Sequence, residues 1–322
     1  MKKDSLIFVA GENTMEGKSL IHLLKEENYT NIVNTIHPTP DLCDNTSVKD
    51  YFSKINPDYV FLFAGKSGGI KANKEMPATL MLNNLQIISN ILSAAHEFKV
   101  QKLLFLASSC VYPKDAGQPL NPQMLMTGSL EPTNSAYAMA KLAGIELSRS
   151  YKREYGNNFF SAIPANIFGP RDDFSKDHSH VVGALIRKIH EAKIDQKDKV
   201  TLWGTGSPKR EFIFVDDLAK ATLFLMKNFN NEDVINIGSK EILSISDIAH
   251  SIKTVIGFEG SVEFDMNSLD GMPIKTLDSE PLSSLGFDAP TSFISGVKLT
   301  YNWFLNSKYV NSRFRGTEEY VN

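Results

Sequence analysis

The chain has 322 residues, of which 42% are hydrophobic and 22% are charged, and its formal net charge is −3. This length allows one large domain or two ordinary ones, with a substantial core. The charges form no block of one sign, so we expect neither a nucleic-acid partner nor a membrane surface. A small or nucleotide-like ligand is left open.

The first apolar run and the cysteines indicate the compartment. The run LIFVA, before Gly11, has five residues and is too short for the core of a signal peptide or for a membrane span. Cys43 and Cys110 could form at most one disulfide, and they lack the C-x-x-C spacing of a redox or zinc motif. We therefore expect a cytoplasmic protein with reduced cysteines and no metal site.

Short apolar runs alternate with helical patterns through the first half of the chain. The strand-like runs are 5–10, 59–64, 102–108 and 159–169. The candidate helices are about 17–27, 46–55, 78–98 and 135–155. Strands that are apolar at every position are buried on both faces, as in a parallel sheet covered by helices. The pattern predicts an α/β fold with a doubly wound parallel sheet of Rossmann type.

After residue 169 the alternation weakens, which indicates a second region. A helix is predicted near 180–193, followed by the strand-like stretches KVTLWG and EFIFVDD, and by a helix that Ser244 or Ser246 caps. We predict a dinucleotide-binding domain and a smaller, discontinuous α/β substrate domain. The first comprises 1–169 and about 211–238, and the second comprises about 170–210 and 239–322.

The turn after the first strand, GENTMEG, resembles a dinucleotide-binding turn. Gly11 and Gly17 occupy the first and last positions of a G-x-x-G-x-x-G spacing, which gives a tight turn and brings a helix N-terminus to the pyrophosphate. Thr14 replaces the middle glycine, where the backbone usually approaches phosphate. We expect this replacement to lower cofactor affinity.

The stretch NIVNTIHPTP follows at the expected end of the second strand. An acidic residue there binds the adenosine ribose, whereas an arginine accommodates a 2′-phosphate, and this stretch has neither. The preference between NADH and NADPH is therefore left open. Asn13 and His37 are candidates for contacting this end of the cofactor.

Three side chains in chain order suggest a proton-donating site. Ser108 lies at the carboxyl end of a strand, where ligands bind in open α/β sheets. Tyr137 and Lys141 are four residues apart and therefore share one helical face. A nearby ammonium favours phenolate, so this spacing predicts a lowered pKa for Tyr137. Each residue alone also fits a structural role, but together they can hydrogen-bond and protonate a carbonyl beside a nicotinamide.

Long strings of the sequence carry a resemblance to a known family. They are FLASSCVYPKDAGQPLNP, LEPTNSAYAMAKLAGIELSRSYKREYG, PANIFGPRDDF, SHVVGALIRKIHEA, WGTGSPKREFIFVDD and DGMPIKTLD. In these strings the chain resembles the extended short-chain dehydrogenase family, and within it the GDP-L-fucose synthases. The resemblance covers nearly the whole chain. It implies epimerisation of GDP-4-keto-6-deoxy-D-mannose at C3 and C5, followed by nicotinamide-dependent reduction at C4.

The resemblance also implies roles for individual residues. Cys110 and His180 exchange protons at C3 and C5, while Ser108, Tyr137 and Lys141 serve C4. The implied cofactor contacts are Gly11, Asn13, Thr14, Met15, Gly17, Ala64, Gly65, Lys66, Tyr137, Lys141, Pro164, Asn166 and His180. The implied contacts with the GDP-sugar are Val181, Arg187, Lys188, Trp203, Gly204, Arg210, Lys275 and Asp278.

The resemblance further implies NADPH as cofactor and a homodimer formed through the helices at 78–98 and 135–155. NADH stays possible, because the basic residues that bind the 2′-phosphate in the family are absent at Asn13 and around Ile36. One alternative is a C4 reductase or an epimerase acting on another GDP- or NDP-4-keto sugar, such as a heptose. Another is a non-catalytic dinucleotide sensor, which has no need of all five catalytic side chains.

Overall fold

The computed structural model describes residues 1–33, 38–176, 179–230, 234–266 and 272–311. The helices are α1 Met15–Glu26, α2 Asn45–Ile55, α3 Ile70–Glu75, α4 Pro77–Glu97, α5 Ser135–Tyr155, α6 Val181–Ile194, α7 Val215–Asn228, α8 Ile245–Ile256, α9 Glu280–Ser284, α10 Phe293–Leu305 and α11 Lys308–Asn311. The strands are β1 Ile7–Ala10, β2 Tyr59–Leu62, β3 Lys102–Leu106, β4 Phe159–Pro164, β5 Asn166–Phe168, β6 Lys199–Trp203, β7 Lys209–Phe214, β8 Val234–Ile237, β9 Ile242–Ser244, β10 Ser261–Asp265 and β11 Ile274–Lys275.

A parallel sheet with the order β1-β2-β3-β4-β8 forms the centre of the first hydrophobic core. Every residue of β1, β3, β4 and β8 is buried, as expected for strands covered on both faces. Helix α1 packs against α7, and α4 packs against α2 and α5. The predicted doubly wound parallel sheet is confirmed.

The stretch NIVNTIHPTP begins beside the edge of β1 that does not pair with β2. Ile32 forms an isolated parallel bridge with Ile7. The stretch then enters residues 34–37, so His37 and Ile36 lie outside the described residues.

The strand predicted at 159–169 was wrong as a single element, because it divides at Ala165 into β4 and β5. Ala165 donates its N–H to the carbonyl oxygen of Ile237, and β5 then leaves the central sheet to pair with β7. The prediction of a capped helix in the last third is confirmed. Ser244 is the N-cap of α8, and it forms a reciprocal capping box with Asp247.

A second hydrophobic cluster lies around α6, α8, α10 and the strands β5 to β7. Along β7 the side chains alternate, so that Ile213 belongs to the first core while Phe212 and Phe214 belong to the second. This strand therefore separates the two cores. The predicted domain boundaries stay a prediction.

Glu211 ties the strands of the two regions together. It is 1% exposed, and its Oε1 accepts hydrogen bonds from the backbone N–H groups of Ser239 and Lys240, both at 2.8 Å. Its Oε2 accepts the N–H of Leu277 at 2.8 Å. A Cβ on Gly238 would lie 2.2 Å from Oε1, so the chain passes this carboxylate at close range. These contacts fix the path of the chain after β8 and after β11.

Within the described part of the chain, no helix is long and apolar enough to cross a membrane.

Candidate active site

The turn between β1 and α1 depends on its two glycines. Gly11 has a φ of +105°, and a Cβ there would lie 2.6 Å from the backbone nitrogen of Ala64. A Cβ on Gly17 would lie 2.0 Å from the carbonyl oxygen of Gly11. The first turn of α1 therefore lies directly against the end of β1. Asn13 is exposed and Met15 is partly buried at the same helix end.

Thr14 has a local function at the position of the missing glycine. It is the N-cap of α1, and its hydroxyl accepts the N–H of Gly17 at 3.0 Å and donates to the carbonyl oxygen of Gly11 at 2.9 Å. The side chain therefore satisfies one of the N–H groups that a helix leaves unpaired at its start. The remaining N–H groups and the helix dipole favour an anion at this end.

Ser108 links the end of β3 to the helix that carries the tyrosine. Its hydroxyl accepts the N–H of Cys110 at 3.3 Å and so caps the turn Ser109–Val111. The same side chain lies close enough to Tyr137 to oppose the rise of the Tyr137 pKa. A strand end and the first turn of α5 thus place two hydroxyl groups side by side, as predicted from their order in the sequence.

Lys141 is buried beneath this pair. Its Nζ lies 6.0 Å from the ring centroid of Tyr137 and 5.0 Å from that of Phe105, and it donates to the carbonyl oxygen of Leu106 at 3.1 Å. Burial lowers the pKa of Lys141 to about 8, while the charge of Glu16 opposes this effect. Glu16, which the sequence did not single out, is therefore part of the electrostatics of the site.

The predicted lowering of the Tyr137 pKa was wrong in direction. Burial raises the pKa of Tyr137 above its ordinary value, and negative charge on Cys110 raises it further, while the hydrogen bond with Ser108 opposes both. The desolvation of the hydroxyl outweighs the effect of the lysine one turn away. Tyr137 is accordingly a phenol at neutral pH, which is the form that can donate a proton.

Cys110 stands beside the two hydroxyl groups and has two nitrogen neighbours. The amide nitrogen of Asn134 donates to its sulfur at 3.3 Å, and Nζ of Lys275 lies 3.9 Å from the same sulfur. Sequence reasoning missed Asn134, because an asparagine immediately before a helix is ordinarily a capping residue.

The contacts of His180 do not reach this group. The residue is exposed and is the N-cap of α6, and among the described residues its side chain makes no hydrogen bond to Ser108, Cys110 or Tyr137. Val181, the next residue, is 43% exposed. The structure brings together four of the five predicted catalytic side chains, and the role of His180 stays a prediction.

The loop after β2 lies next to Lys141. A Cβ on Gly65 would lie 3.4 Å from Nζ of Lys141 and 2.6 Å from Oδ1 of Asn84. Asn84 is fully buried and donates to the carbonyl oxygen of Lys66 at 2.8 Å, while its Oδ1 has no hydrogen-bond partner within the described residues. Asn84 is thus a further polar group at the site that the sequence reading did not find.

Two further residues predicted to contact the cofactor lie where β4 ends and β5 begins, at the carboxyl end of the sheet. Pro164 is the buried last residue of β4. Asn166 begins β5 and donates from its amide to the carbonyl oxygen of Glu211 at 3.0 Å.

The predicted substrate residues on α6 and β6 differ in accessibility. Lys188 is exposed as a whole residue, but its ammonium group donates to the carbonyl oxygen of Thr201 at 2.6 Å, and the partial desolvation of this group lowers its pKa. Trp203 is 83% exposed at the end of β6. Gly204 follows with a φ of +81° and donates its N–H to the carbonyl oxygen of Asp265.

Arg187 departs from its prediction. It is 9% exposed, and its guanidinium donates to Glu191 at 2.9 Å and to the carbonyl oxygen of Phe174 at 2.9 Å. A guanidinium that is this deeply buried and already paired with a carboxylate is poorly accessible to a diphosphate. These contacts favour a structural role for Arg187 over the predicted contact with substrate.

The remaining predicted substrate residues lie around β7 and β11. Arg210 donates to the carbonyl oxygens of Lys209 and Met272 at 2.8 and 2.7 Å. Lys275 lies in β11, beside Arg210 in the parallel pairing with β7. Asp278 accepts the N–H of Glu280 on its carboxylate and donates its own N–H to Leu120. In the described ranges, no three His, Cys, Asp or Glu side chains are grouped so that they could hold a metal ion.

Residues 7–238 match a family described as the NAD dependent epimerase/dehydratase family. The chain belongs to this NAD dependent epimerase/dehydratase family. The family is NAD dependent. A nicotinamide cofactor needs both a dinucleotide-binding turn, here at Gly11, and a proton-donating group, here Ser108, Tyr137 and Lys141.

Within the NAD dependent epimerase/dehydratase family, several relatives match over nearly their whole length. GDP-L-fucose synthase 1 of Arabidopsis thaliana is 44% identical over 305 residues, which are 95% of this chain and 94% of that protein. A GDP-L-fucose synthetase from Naegleria fowleri bound to NADP superposes with a TM-score of 0.87 at 30% identity, covering 97% of both chains. A GDP-mannoheptose C4 reductase from Campylobacter jejuni with NADP bound gives 0.85 at 31% identity, covering 95% of this chain and 99% of that one. The resemblance stated from the sequence is confirmed.

Proposed function

We propose that the chain is an NADPH-dependent enzyme that converts GDP-4-keto-6-deoxy-D-mannose to GDP-L-fucose by epimerisation at C3 and C5 and reduction at C4. The observation that carries this proposal is the position of Cys110. Its sulfur lies 3.3 Å from the Asn134 amide nitrogen and 3.9 Å from Nζ of Lys275, on the turn that Ser108 caps. A simple ketone reductase needs the serine, tyrosine and lysine but has no need of a thiol there. Relatives named GDP-L-fucose synthase support the same substrate.

Epimerisation begins at a carbon next to the C4 carbonyl. The Cys110 thiolate takes the proton from that carbon, and the electron pair of the broken C–H bond forms an enolate whose charge rests on the C4 oxygen. The hydroxyl groups of Ser108 and Tyr137 donate hydrogen bonds to this oxygen and stabilise the charge. His180 returns a proton to the opposite face of the same carbon, which inverts it. The same sequence of proton transfers acts at C3 and at C5.

Reduction at C4 uses the same hydroxyl groups. NADPH, held along the α1 N-terminus and the Gly65 loop, would supply the hydride for C4. Tyr137 gives its proton to the C4 oxygen, which is why a raised pKa suits it: the phenol keeps its proton until charge develops on that oxygen. The Lys141 ammonium below the ring stabilises the phenolate that is left.

The residues around the cofactor site fit a dinucleotide. The space between Gly11 and Gly17 has no room for a Cβ, and the N-terminus of α1 opens beside it. We assign the pyrophosphate to this helix end, with Asn13, Thr14 and Met15 around it. The loop at Gly65, the last residue of β4 (Pro164) and the first residue of β5 (Asn166) line the path from there to Lys141.

We further propose a cytoplasmic homodimer formed through α4 and α5. These helices pack against each other, and each presents an exposed apolar side chain: Leu82 is 56% exposed on α4 and Met139 is 45% exposed on α5. Both cysteines are free thiols, as the cytoplasm requires. Light scattering of the full chain at micromolar concentration tests the dimer, and a monomeric mass would contradict it.

A second candidate function is C4 reduction of a related GDP-sugar such as a heptose. It is favoured by the likeness to the GDP-mannoheptose C4 reductase and by the absence, among the described residues, of a hydrogen bond from His180 to the other catalytic side chains. The two functions differ in product stereochemistry and in proton exchange with solvent.

The test follows NADPH oxidation with GDP-4-keto-6-deoxy-D-mannose in D₂O, with NMR analysis of the product. We expect GDP-L-fucose carrying deuterium at C3 and C5. Cys110→Ser should lose deuterium incorporation at the epimerised carbons by at least about a hundredfold, since a hydroxyl is a much weaker base. Cys43→Ser, which changes a thiol away from the site, is the matched control. A product that is reduced at C4 but carries no deuterium at C3 or C5 would contradict the epimerase function and support the C4 reductase function.

A further inference from the structure

The surroundings of Cys110 contain two nitrogen donors that come from distant parts of the chain. Asn134 precedes α5 and donates from its amide at 3.3 Å, and Lys275 lies in β11 with Nζ at 3.9 Å. A neutral thiol is a weak acceptor, whereas a thiolate accepts hydrogen bonds well and is stabilised by a nearby cation. The pair therefore matches the charged form of the sulfur.

The side chain of Asn134 contacts Cys110 and does not cap its own helix. It is the N-cap of α5, yet its side chain makes no capping hydrogen bond. At other helix starts in this chain, Asp44 and Ser244 cap with their side chains, whereas Ser279 and Ser292 do not. Moreover, Oδ1 of Asn134 is buried and has no hydrogen-bond partner in the described ranges. The amide is thus oriented at the cost of local stability, which indicates a function beyond capping.

Lys275 is held in place by its backbone. It pairs with Arg210 in the parallel ladder of β11 and β7, and two residues later Leu277 donates its N–H to the buried carboxylate of Glu211. Within the described residues, Lys275 forms no ion pair with a carboxylate, and the hydrogen-bond acceptor of its Nζ is the sulfur of Cys110. Its positive charge is therefore directed at the thiol.

We propose that Asn134 and Lys275 are positioning residues that hold Cys110 as a thiolate, ready to remove the proton at C3 and C5. The proposal rests on the proposed epimerase function and adds to it the origin of the base. The other groups that face the sulfur in the described structure are the hydroxyl groups of Ser108, on the same turn, and Tyr137, on α5. Both are uncharged at neutral pH, and Lys275 is the cation that contacts the sulfur. Lys141 and Glu16 are the further charged groups of the site, and they lie around the neighbouring Tyr137. Lys275 acts in this way on the thiol instead of serving the nucleotide contact predicted from the sequence.

The test measures the thiol directly in the full chain. The rate of Cys110 alkylation by iodoacetamide is followed against pH in a Cys43→Ser background, where Cys110 is the remaining thiol. We expect Lys275→Met and Asn134→Ala each to move the midpoint of this profile upward by about one pH unit, which lowers the thiolate fraction at neutral pH about tenfold. Lys275→Arg should restore the profile, because it restores the charge. Lys209→Met, which removes an exposed lysine on the neighbouring strand β7, should leave it unchanged.

The outcomes separate the proposal from its alternatives. If both variants alkylate with the parent profile, the proposal is wrong, whatever their activity. A rise in KM for the GDP-sugar with an unchanged alkylation profile assigns Lys275 to substrate binding alone, and likewise overturns it. Failure of the epimerase function shows instead as missing deuterium at C3 and C5, which the alkylation profile of the free enzyme does not report. Equal unfolding midpoints of the variants check that the fold is retained.

Discussion

Nζ of Lys141 donates a hydrogen bond to the carbonyl oxygen of Leu106 at 3.1 Å, so the lysine of α5 is anchored to the end of the strand that precedes Ser108. The residue is 4% exposed. A strand end and a helix are thus joined beneath the hydroxyl pair. The energetic consequence is that the ammonium is held largely out of water, which makes its protonation depend on folding.

We expect the stability of the chain to depend on Lys141 in alkaline solution. Burial lowers the pKa of Lys141 to about 8 from an ordinary value of 10.5. Between these values the folded chain has lost the proton while the unfolded chain keeps it, so the stability of the wild type rises with pH. From pH 7.5 to 9.5 this gain amounts to about 2 kcal/mol relative to Lys141→Met, which cannot titrate. Urea denaturation at the two pH values measures it, with Lys54→Met as the exposed control. An identical pH dependence of wild type and Lys141→Met would contradict the assignment.

Gly17→Ala tests the contact between α1 and the end of β1. The new Cβ would lie 2.0 Å from the carbonyl oxygen of Gly11, so backbone must move. We expect a loss of about 2 kcal/mol in the free energy of unfolding, as for an overpacked site, together with a large loss of NADPH binding. Gly117→Ala is the matched control, because its Cβ would approach only the end of Met124 at 4.0 Å. Fluorescence titration with NADPH and urea denaturation provide both readouts, and normal binding by Gly17→Ala would place the cofactor elsewhere.

Glu211→Gln tests the link between the two cores. The carboxylate accepts three backbone N–H groups, whereas a glutamine must turn its NH₂ group towards at least one of them. We expect a loss of about 2 kcal/mol in the free energy of unfolding, because a buried donor is left without an acceptor. Glu263→Gln breaks an exposed ion pair with Lys199 and should cost less than about 1 kcal/mol. Equal stabilities of the two variants would show that Glu211 is not a structural link.

For Asp172 we expect the pH dependence of stability to have the opposite sign to that for Lys141. It is 6% exposed, its Oδ2 has no hydrogen-bond partner in the described part of the chain, and burial raises its pKa to about 7 from 3.8. Between pH 4 and 7 the folded chain therefore keeps a proton that the unfolded chain releases, and wild-type stability falls as pH rises.

The corresponding measurement compares Asp172→Asn with wild type at pH 5 and pH 8. Because asparagine does not titrate, we expect the variant to gain about 2 kcal/mol relative to wild type between these conditions. Asp198→Asn, at an exposed position, should show no such gain. A stability difference that does not change with pH would mean that Asp172 is ionised throughout.

The sequence allowed the central architecture to be predicted because its signals are local. Strands that are apolar at every position and helices with regular apolar spacing gave β1 to β4 and α1, α2, α4 and α5 within a few residues of their observed bounds. The order of Ser108, Cys110, Tyr137 and Lys141 along the chain likewise indicated the group that the structure brings together. Apart from the role of Cys110, which the family resemblance implied, these predictions needed only periodicity and the rule that ligands bind at strand ends.

What the sequence did not indicate depends on contacts between distant residues. Lys275 approaches Cys110 across a separation of 165 residues, and no spacing rule relates them. The pKa of Tyr137 was predicted in the wrong direction because spacing gives the distance to Lys141 but not the burial of the hydroxyl. The division of the run 159–169 at Ala165 also required knowledge of β7 and β8, which come much later in the chain.

Because β8 comes much later in the chain than its neighbour β4, the position of β8 limits where the chain can be truncated or recombined. Residues 234–237 supply the neighbour of β4, so a shortened gene product that stops near residue 169 would leave a long apolar strand as an open edge. Chimeras that exchange substrate specificity between relatives must therefore be joined outside 209–240, so that β7, α7 and β8 stay together with the backbone groups that bind the Glu211 carboxylate.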